Sequence, residues 1–527
     1  MLIATEPARD AVVEQSPDQV LLRFDEPVET ALGSIRVFDG SGQRVDAEEI
    51  LRPSPEEVAV RIEDELDRGT YTVAWRAISA DSDPINGAFV FHVGAPGPQP
   101  SGIAAEVLEG APAAVSVAFT GGRFFEFALM LLAAGGLAAI ALTLSSCRRA
   151  VRARLYGLVA VLAGLLAVMA LLGIVFQGAA AGGFGLGEAF SWNVFSSVVD
   201  TRYGQVELIR AGLAAALALT ALALMRETGR AERTLLVVAL VLVAGILVTP
   251  SFGGHASTGG PVAMVADVAH IQAAATWTGG LAFVVLALLL TRSERWTLAA
   301  RCVPRFSTMA VVSVAVLLIA GAVNGYLQVR TWSGLWETEY GLLLLAKIAL
   351  VLPLLALGAY NNRYSVPRLR AQIASVAERR RFLRAAGTEL VIMVAIVAVT
   401  AVLVNAPPAR TEVVMHGPES VTVELGDVEA HVEVDPAMPG ENEIHLEFMG
   451  ADGAPAEIAE VNIAASLPSA EIGPLRFAAE PGHEHGSFVV MAADFPLAGE
   501  WELRIEARRG EFELLTETTT ISIREES

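Results

Sequence analysis

Lysine is nearly missing from this chain: of 37 basic side chains only Lys347 is a lysine, and arginine supplies the rest. Cysteine is almost as scarce. Cys147 and Cys302 lie in different arginine-rich stretches without CxxC spacing, which excludes a thiolate metal cage and a disulfide framework. Neither a GxxxxGK[ST] phosphate loop nor a DKTG phosphorylation motif occurs, so nucleotide hydrolysis by those devices is excluded. Positive charge is short as well. The net charge is -21, with 19 acidic against 8 basic side chains in residues 1–100 and 25 against 5 in 411–527. Such faces exclude nucleic acid as a partner and suit solubility or the attraction of cations. The chain starts almost directly on strand-like sequence, with no signal peptide ahead of it; a removed leader or a start placed downstream of the true one fits this pattern.

Apolar sequence, by contrast, is abundant. At 527 residues and 53% hydrophobic content, the chain is too long and too oily for one soluble domain. Runs long enough to cross a bilayer fall near 124–145, 154–177, 205–225, 233–250, 262–291, 306–329, 341–362 and 388–405. Loops after the first, third, fifth and seventh runs hold 18 arginines, whereas the three loops between them hold two, Arg202 and Arg330. The positive-inside rule then places both termini outside the cytoplasm and predicts a multi-pass protein of the cytoplasmic membrane. The expected fold is a polytopic α-helical membrane protein of eight transmembrane helices, flanked by two extracytoplasmic all-β sandwich domains. Its modules are 1–96, a linker at 97–122, the membrane domain at 123–406, and 411–527.

On this topology "GGHASTGGPVAMVADVAH" (253–270) is an outward loop followed by the first turns of the fifth span. Pro261 suits the first turn of a helix. Met264, Asp267 and His270 follow at i, i+3 and i+6 on one face, and His255 in the loop is placed to fold over them. Ionisable groups at membrane depth are costly and mark functional sites. Imidazole, carboxylate and thioether together form a set that copper accepts as Cu(I) or Cu(II). His255, Asp267 and His270 are the candidate metal ligands, with Met264 as a further one; a helix-packing hydrogen-bond pair is the plainer alternative. Glu126, Glu207, Arg210, Lys347 and Glu389 are the other charges in or near spans. They are expected to form a transmembrane charge network, with Glu207 and Arg210 neutralising each other at i, i+3. The network serves either packing or the movement of protons or ions.

Both ends alternate apolar and polar residues between turn signals, the pattern of small antiparallel sandwiches. "RFDEPVE", "GSIRVFDGSGQRV" and "GTYTVAWRAISADSDPINGAFVFHVG" resemble the CopC family of periplasmic copper-binding proteins. "GHA" at 254–256, "DVAHIQAAATWTGGL" at 267–281, "RFS" at 305–307, "YGLLLLAKIAL" at 340–350 and "LGAYNNRYSVPRL" at 357–369 resemble the CopD copper-resistance membrane proteins. The fused layout is similar to the YcnJ-type copper-uptake proteins. The "P…PGEN.I.L" phrase and "AGEWELRI" near the C-terminus resemble YtkA-like domains.

The resemblance implies copper handling rather than catalysis: copper import across the cytoplasmic membrane, with roles in copper homeostasis and resistance. Copper ions, the lipid bilayer and periplasmic copper chaperones are the implied partners. Without an ATPase motif, transport would be passive or coupled to an ion gradient. A non-transporting copper donor or sequestering protein for copper-enzyme assembly is the alternative, and a haem protein using His255 and His270 is a second one. CopC proteins hold Cu(II) with an N-terminal histidine and a "SADxHP" segment; this chain reads "SADSDP". Asp81 matches, but Asp83 replaces the histidine, and two carboxylates without imidazole bind Cu(II) weakly. His92 is expected to face outward from its strand without a partner. His483 and His485, in "GHEHG", are a candidate low-affinity metal patch.

Overall fold

The computed structural model describes residues 2–9, 11–24, 27–29, 35–79, 84–95, 97, 112–291, 293–409, 419–435, 437–450, 455–470, 472–482, 486–510 and 513–524. They divide into two units, 1–329 with 339–408 and 330–338 with 409–527.

The first unit opens with two four-stranded sheets, in the orders β1-β3-β6-β5 and β2-β8-β7-β4. The strands are β1 (Leu2–Glu6), β2 (Val12–Val13), β3 (Gln19–Phe24), β4 (Ile35–Phe38), β5 (Asp46–Ser54), β6 (Glu57–Ile62), β7 (Gly69–Ile78) and β8 (Pro84–Val93). Alternation decides which side chains enter the core: Val20, Leu22 and Phe24 of β3 meet Val73, Trp75 and Phe91 there. His92 departs from the outward-facing expectation. It is 4% exposed, and its Nδ1 lies 2.9 Å from Thr70 Oγ1. The physical reason is that the chain after β8 returns over this face, with Thr70 Oγ1 donating to the Gly97 carbonyl at 2.9 Å and accepting the Gly97 N–H at 2.8 Å. Both faces of the strand end are therefore covered.

Among the described residues, eight helices long and apolar enough to cross a membrane follow, by length and composition. They are α1 (Ala113–Leu142), α2 (Arg149–Gly182), α3 (Arg202–Leu224), α4 (Gly229–Phe252), α5 (Gly260–Leu290), α6 (Arg295–Val329), α7 (Glu339–Tyr360) and α8 (Val376–Leu403), with α7 continuing through a π-helical turn to Arg370. The loops after α1, α3 and α5 meet at one end: Arg148 pairs with Glu294, Arg149 donates to the Arg226 carbonyl at 2.7 Å, and Arg152 pairs with Glu232 at 3.1 Å. Helices α1 and α5 cross on glycine. A Cβ at Gly135 would stand 1.8 Å from the Ala275 carbonyl oxygen, and one at Gly279 would stand 2.2 Å from that of Leu131. Small residues replace the missing hydrophobic drive inside a bilayer by letting backbones approach.

Glu29 joins the β sheets to the helices. Its carboxylate accepts the backbone N–H of Arg202, the first residue of α3, at 2.8 Å. An acceptor there answers an otherwise unpaired N–H and the positive end of the helix dipole. Burial raises the Glu29 carboxyl above its ordinary value of 4.5, outweighing the lowering by the Arg202 N–H and by Arg52. With a raised value the folded state binds the proton more tightly. Stability present below 4.5 is then lost as pH rises through the raised value. Glu29→Gln keeps the acceptor and removes the charge. In thermal melts it should gain on wild type as pH climbs above 4.5, and a pH-independent difference would contradict this assignment.

In the second unit β9 (Glu419–Leu425), β10 (Val428–Asp435), β11 (Gly440–Gly450), β12 (Glu460–Leu467), β13 (Ile472–Pro481), β14 (Ser487–Phe495), β15 (Gly499–Arg509) and β16 (Glu513–Ile523) form one eight-stranded sheet. Its order is β16-β15-β12-β13-β14-β11-β10-β9, curled so that β16 lies beside β9. Strict alternation in "VEAHVEVD" and "GEWELRIEARR" puts Val428, Ala430, Val432 and Trp501, Leu503, Ile505 into the enclosed core.

Candidate metal centre

Pro261 sits in the first turn of α5. Asp267 follows about 10 Å along the axis from Gly260, and His270 one turn deeper. Asp267 receives donors from two neighbouring helices. Its Oδ2 accepts from Ser251 Oγ on α4 at 2.6 Å, and its Oδ1 accepts from Asn324 Nδ2 on α6 at 3.4 Å. Ser251 is fully buried, so its hydroxyl is committed to the carboxylate. His270 lies against α6 at Gly321, where a Cβ would come within 3.2 Å of Cε1 and 3.4 Å of Nδ1. That Nδ1 is buried, and the imidazole hydrogen-bonds the Leu317 backbone of α6.

Lys347 enters from α7. It shares a helical stripe with Leu344, whose side chain would meet a Cβ at Gly325 of α6 at 3.8 Å, and with Gly358, opposite Trp277 of α5 at 4.0 Å. That stripe turns the half-buried Lys347 toward α5, where it interacts electrostatically with both Asp267 and His270. The centre thus combines a carboxylate that accepts from Ser251 and Asn324, an imidazole seated against α6, and a lysine. Met264 lies one turn from Asp267 on the same helix and is half-buried.

His255 lies in a short 3-10 turn, His255–Ser257, between α4 and α5; its side chain is outside the described residues, as are Asp81, Asp83, His483 and His485. Among the described residues no three His, Cys, Asp or Glu side chains come together as a metal-holding group. Cys147 and Cys302 are both free and buried.

The expected single charge network is corrected into three. Arg210 bonds to Glu126 and Glu207. Lys347 belongs with Asp267 and His270. Glu389 on α8 accepts from Asn361 Nδ2 at 2.6 Å, in the π-helical turn that ends α7. The cause is helix placement: one-dimensional hydropathy gives each charge a depth but not a neighbour. Ser251, Asn324 and Asn361 carry no distinctive sequence signal, because a lone hydroxyl or amide on an apolar helix is ordinarily packing glue. The only hint is "TPSF", where Pro250 interrupts α4 beside Ser251.

Residues 2–94 match the CopC domain family. Residues 114–263 match the copper resistance protein D-like N-terminal domain, and residues 300–403 match copper resistance protein D. The chain joins a CopC domain to a CopD-like membrane domain. Asp267 and His270 fall between the two CopD-like matches. The copper transport protein CutJ of Bacillus subtilis (strain 168) is 26% identical over 466 residues, covering 86% of this chain and 83% of CutJ. The inner membrane protein YebZ of Escherichia coli (strain K12) is 29% identical over 192 residues, 36% of this chain and 63% of YebZ. The crystal structure of CopC from Methylosinus trichosporium OB3b is 28% identical and covers 19% of this chain and 96% of that chain, with a TM-score of 0.16. Copper-resistance family matches thus run from the β sheets into a region of helices long and apolar enough to cross a membrane several times.

Proposed function

We propose that this protein carries copper ions inward across the cytoplasmic membrane, receiving them at Asp267 and His270. The observation that carries the reading is the pairing of an imidazole whose Nδ1 is buried with a carboxylate one helical turn away, fixed by Ser251 and Asn324. Neutral imidazole binds either copper oxidation state, and a carboxylate oriented by fixed donors meets the ion without reorganising. The cationic Lys347 opposite them weakens retention, which suits an ion that must leave as well as bind. The arginine bias of alternate loops supports both termini, and with them the CopC domain, lying outside the cytoplasm. His255 and Met264 are the further ligands on this reading, and the CopC domain and periplasmic chaperones offer the ion. The depleted "SADSDP" segment makes that domain a weak Cu(II) holder or a regulator. Likeness to CutJ, a protein named for copper transport, favours transport over the donor alternative.

Copper flux into vesicles containing the purified full chain tests activity and direction together. Bound copper without flux would support the donor alternative instead, and a haem absorption band would support the second.

A further inference from the structure

A second polar centre lies among the helices at nearly the same level as Asp267, about 12 Å into α3 from Arg202. Glu126, Glu207, Arg210 and Thr249 are all buried there. The guanidinium of Arg210 donates through Nη1 to Glu126 and to Glu207 Oε1, the latter at 2.6 Å, and through Nε to Thr249 Oγ1 at 2.7 Å. Arg123 on α1 rests over the rings of Phe119 and Tyr203, 4.7 and 5.8 Å from their centroids. Oε2 of Glu207 is buried away from the guanidinium, and the Tyr203 hydroxyl is the hydrogen-bonding group on that side of the carboxyl. That oxygen lies beside Gly173 of α2, where a Cβ would stand 3.9 Å from Oε2 and 3.2 Å from the Tyr203 hydroxyl.

Two buried carboxylates share the guanidinium of Arg210, so ionising both is expensive, and a proton on Glu207 removes the expense by turning an acceptor into a donor. Arg210 is then left with Glu126 as its ionised partner. Helix α4 ties this centre to the first: Thr249 holds Arg210 and Ser251 holds Asp267, on either side of Pro250. Proline supplies no N–H to its helix, so the two hydroxyls flank a position where α4 lacks one backbone hydrogen bond.

We propose that Glu207 carries the proton of a cation–proton exchange, releasing one proton for each monovalent copper ion accepted at Asp267 and His270. A proton and a metal ion each add a positive charge to one low-dielectric region and so exclude one another, which makes the coupling an exchange rather than co-transport. When the metal arrives, the O–H bond of Glu207 breaks and the carboxylate returns to Arg210. The region's net charge is unchanged. The groups facing Glu207 are Glu126 and Arg123 from α1, Tyr203 and Arg210 from α3, and Thr249 from α4, with Gly173 of α2 alongside. The identity of the cation rests on the function proposed above; the assignment of the acid does not.

The test uses the full chain in proteoliposomes holding a pH dye and a copper indicator, with Cu(I) kept reduced by ascorbate outside. Wild type should alkalinise the lumen as copper enters, and an acidic lumen should speed uptake several-fold. Glu207→Gln should lose the alkalinisation and the response to the pH gradient, and Glu207→Asp should regain both. Tyr203→Phe, which removes only the facing hydroxyl, should shift the pH midpoint of uptake. Copper influx without proton movement in wild type would overturn the exchange but leave the transport reading standing. Full alkalinisation by Glu207→Gln, or an unshifted midpoint in Tyr203→Phe, would overturn the assignment to Glu207. No copper influx in wild type would overturn both proposals.

Discussion

Replacing Asp267 by asparagine should lower copper uptake into vesicles about 100-fold, with the protein still folded and monodisperse. Asparagine keeps the size of the side chain and an acceptor for Ser251 or Asn324, so packing is largely retained. What it loses is the negative charge that offsets both Lys347 and an arriving cation. Groups that orient or tune a ligand are worth about 10- to 100-fold in metal affinity, and Asp267 sits at the upper end because it is both carboxylate and charge partner. His270→Ala should match it, since it removes the nitrogen ligand that the reading places beside Asp267. Ser251→Ala, which removes one donor to Asp267, should cost about tenfold. Wild-type rates in both Asp267→Asn and His270→Ala would remove this centre from the pathway.

Gly135→Ala should be among the most damaging single-methyl changes in the protein. The added Cβ would lie 1.8 Å from the Ala275 carbonyl oxygen and 2.8 Å from the Gly279 Cα. Both are backbone atoms, so no side chain can swing away. The helices α1 and α5 must separate, which undoes the contact that holds Glu126 on one and Asp267 on the other in register. Overpacking of this kind costs about 3 kcal/mol, enough to empty the folded fraction of a marginal protein. Gly164→Ala is the matched control, with nothing within 4 Å of its Cβ position. Size-exclusion profiles of detergent extracts should show Gly164→Ala like wild type and Gly135→Ala depleted or aggregated. Equal profiles would mean that the crossing is looser than the geometry implies.

Much of this is legible in one dimension. Hydrophobic runs interrupted by arginine yield the eight helices, because a bilayer demands about 20 apolar residues per crossing whatever the neighbours are. Period-two alternation yields the β regions for a similarly local reason. The spacing of Met264, Asp267 and His270 shows that they share a face of one helix, since 3.6 residues per turn holds in any context. His92 escapes the rule because alternation assumes one open face, and the return of the chain to Gly97 covers it.

Neighbourhood is the part that only the tertiary structure decided. The partners of Asp267 come from residues 251, 324 and 347, and those of Arg210, beyond the Glu207 that i, i+3 spacing already offers, from 126 and 249. Nothing in the local period or hydropathy of those segments marks them as adjacent. Which helices touch follows from where backbones can approach, and that rests on sparse glycines such as Gly135 and Gly279, whose effect depends on a partner far away in sequence. The sequence by itself determined a membrane protein with a polar face on its fifth span. The packing of the helices determined that this face holds a carboxylate with two donors and a lysine opposite, and that a separate arginine–glutamate cluster stands one short stretch of α4 away.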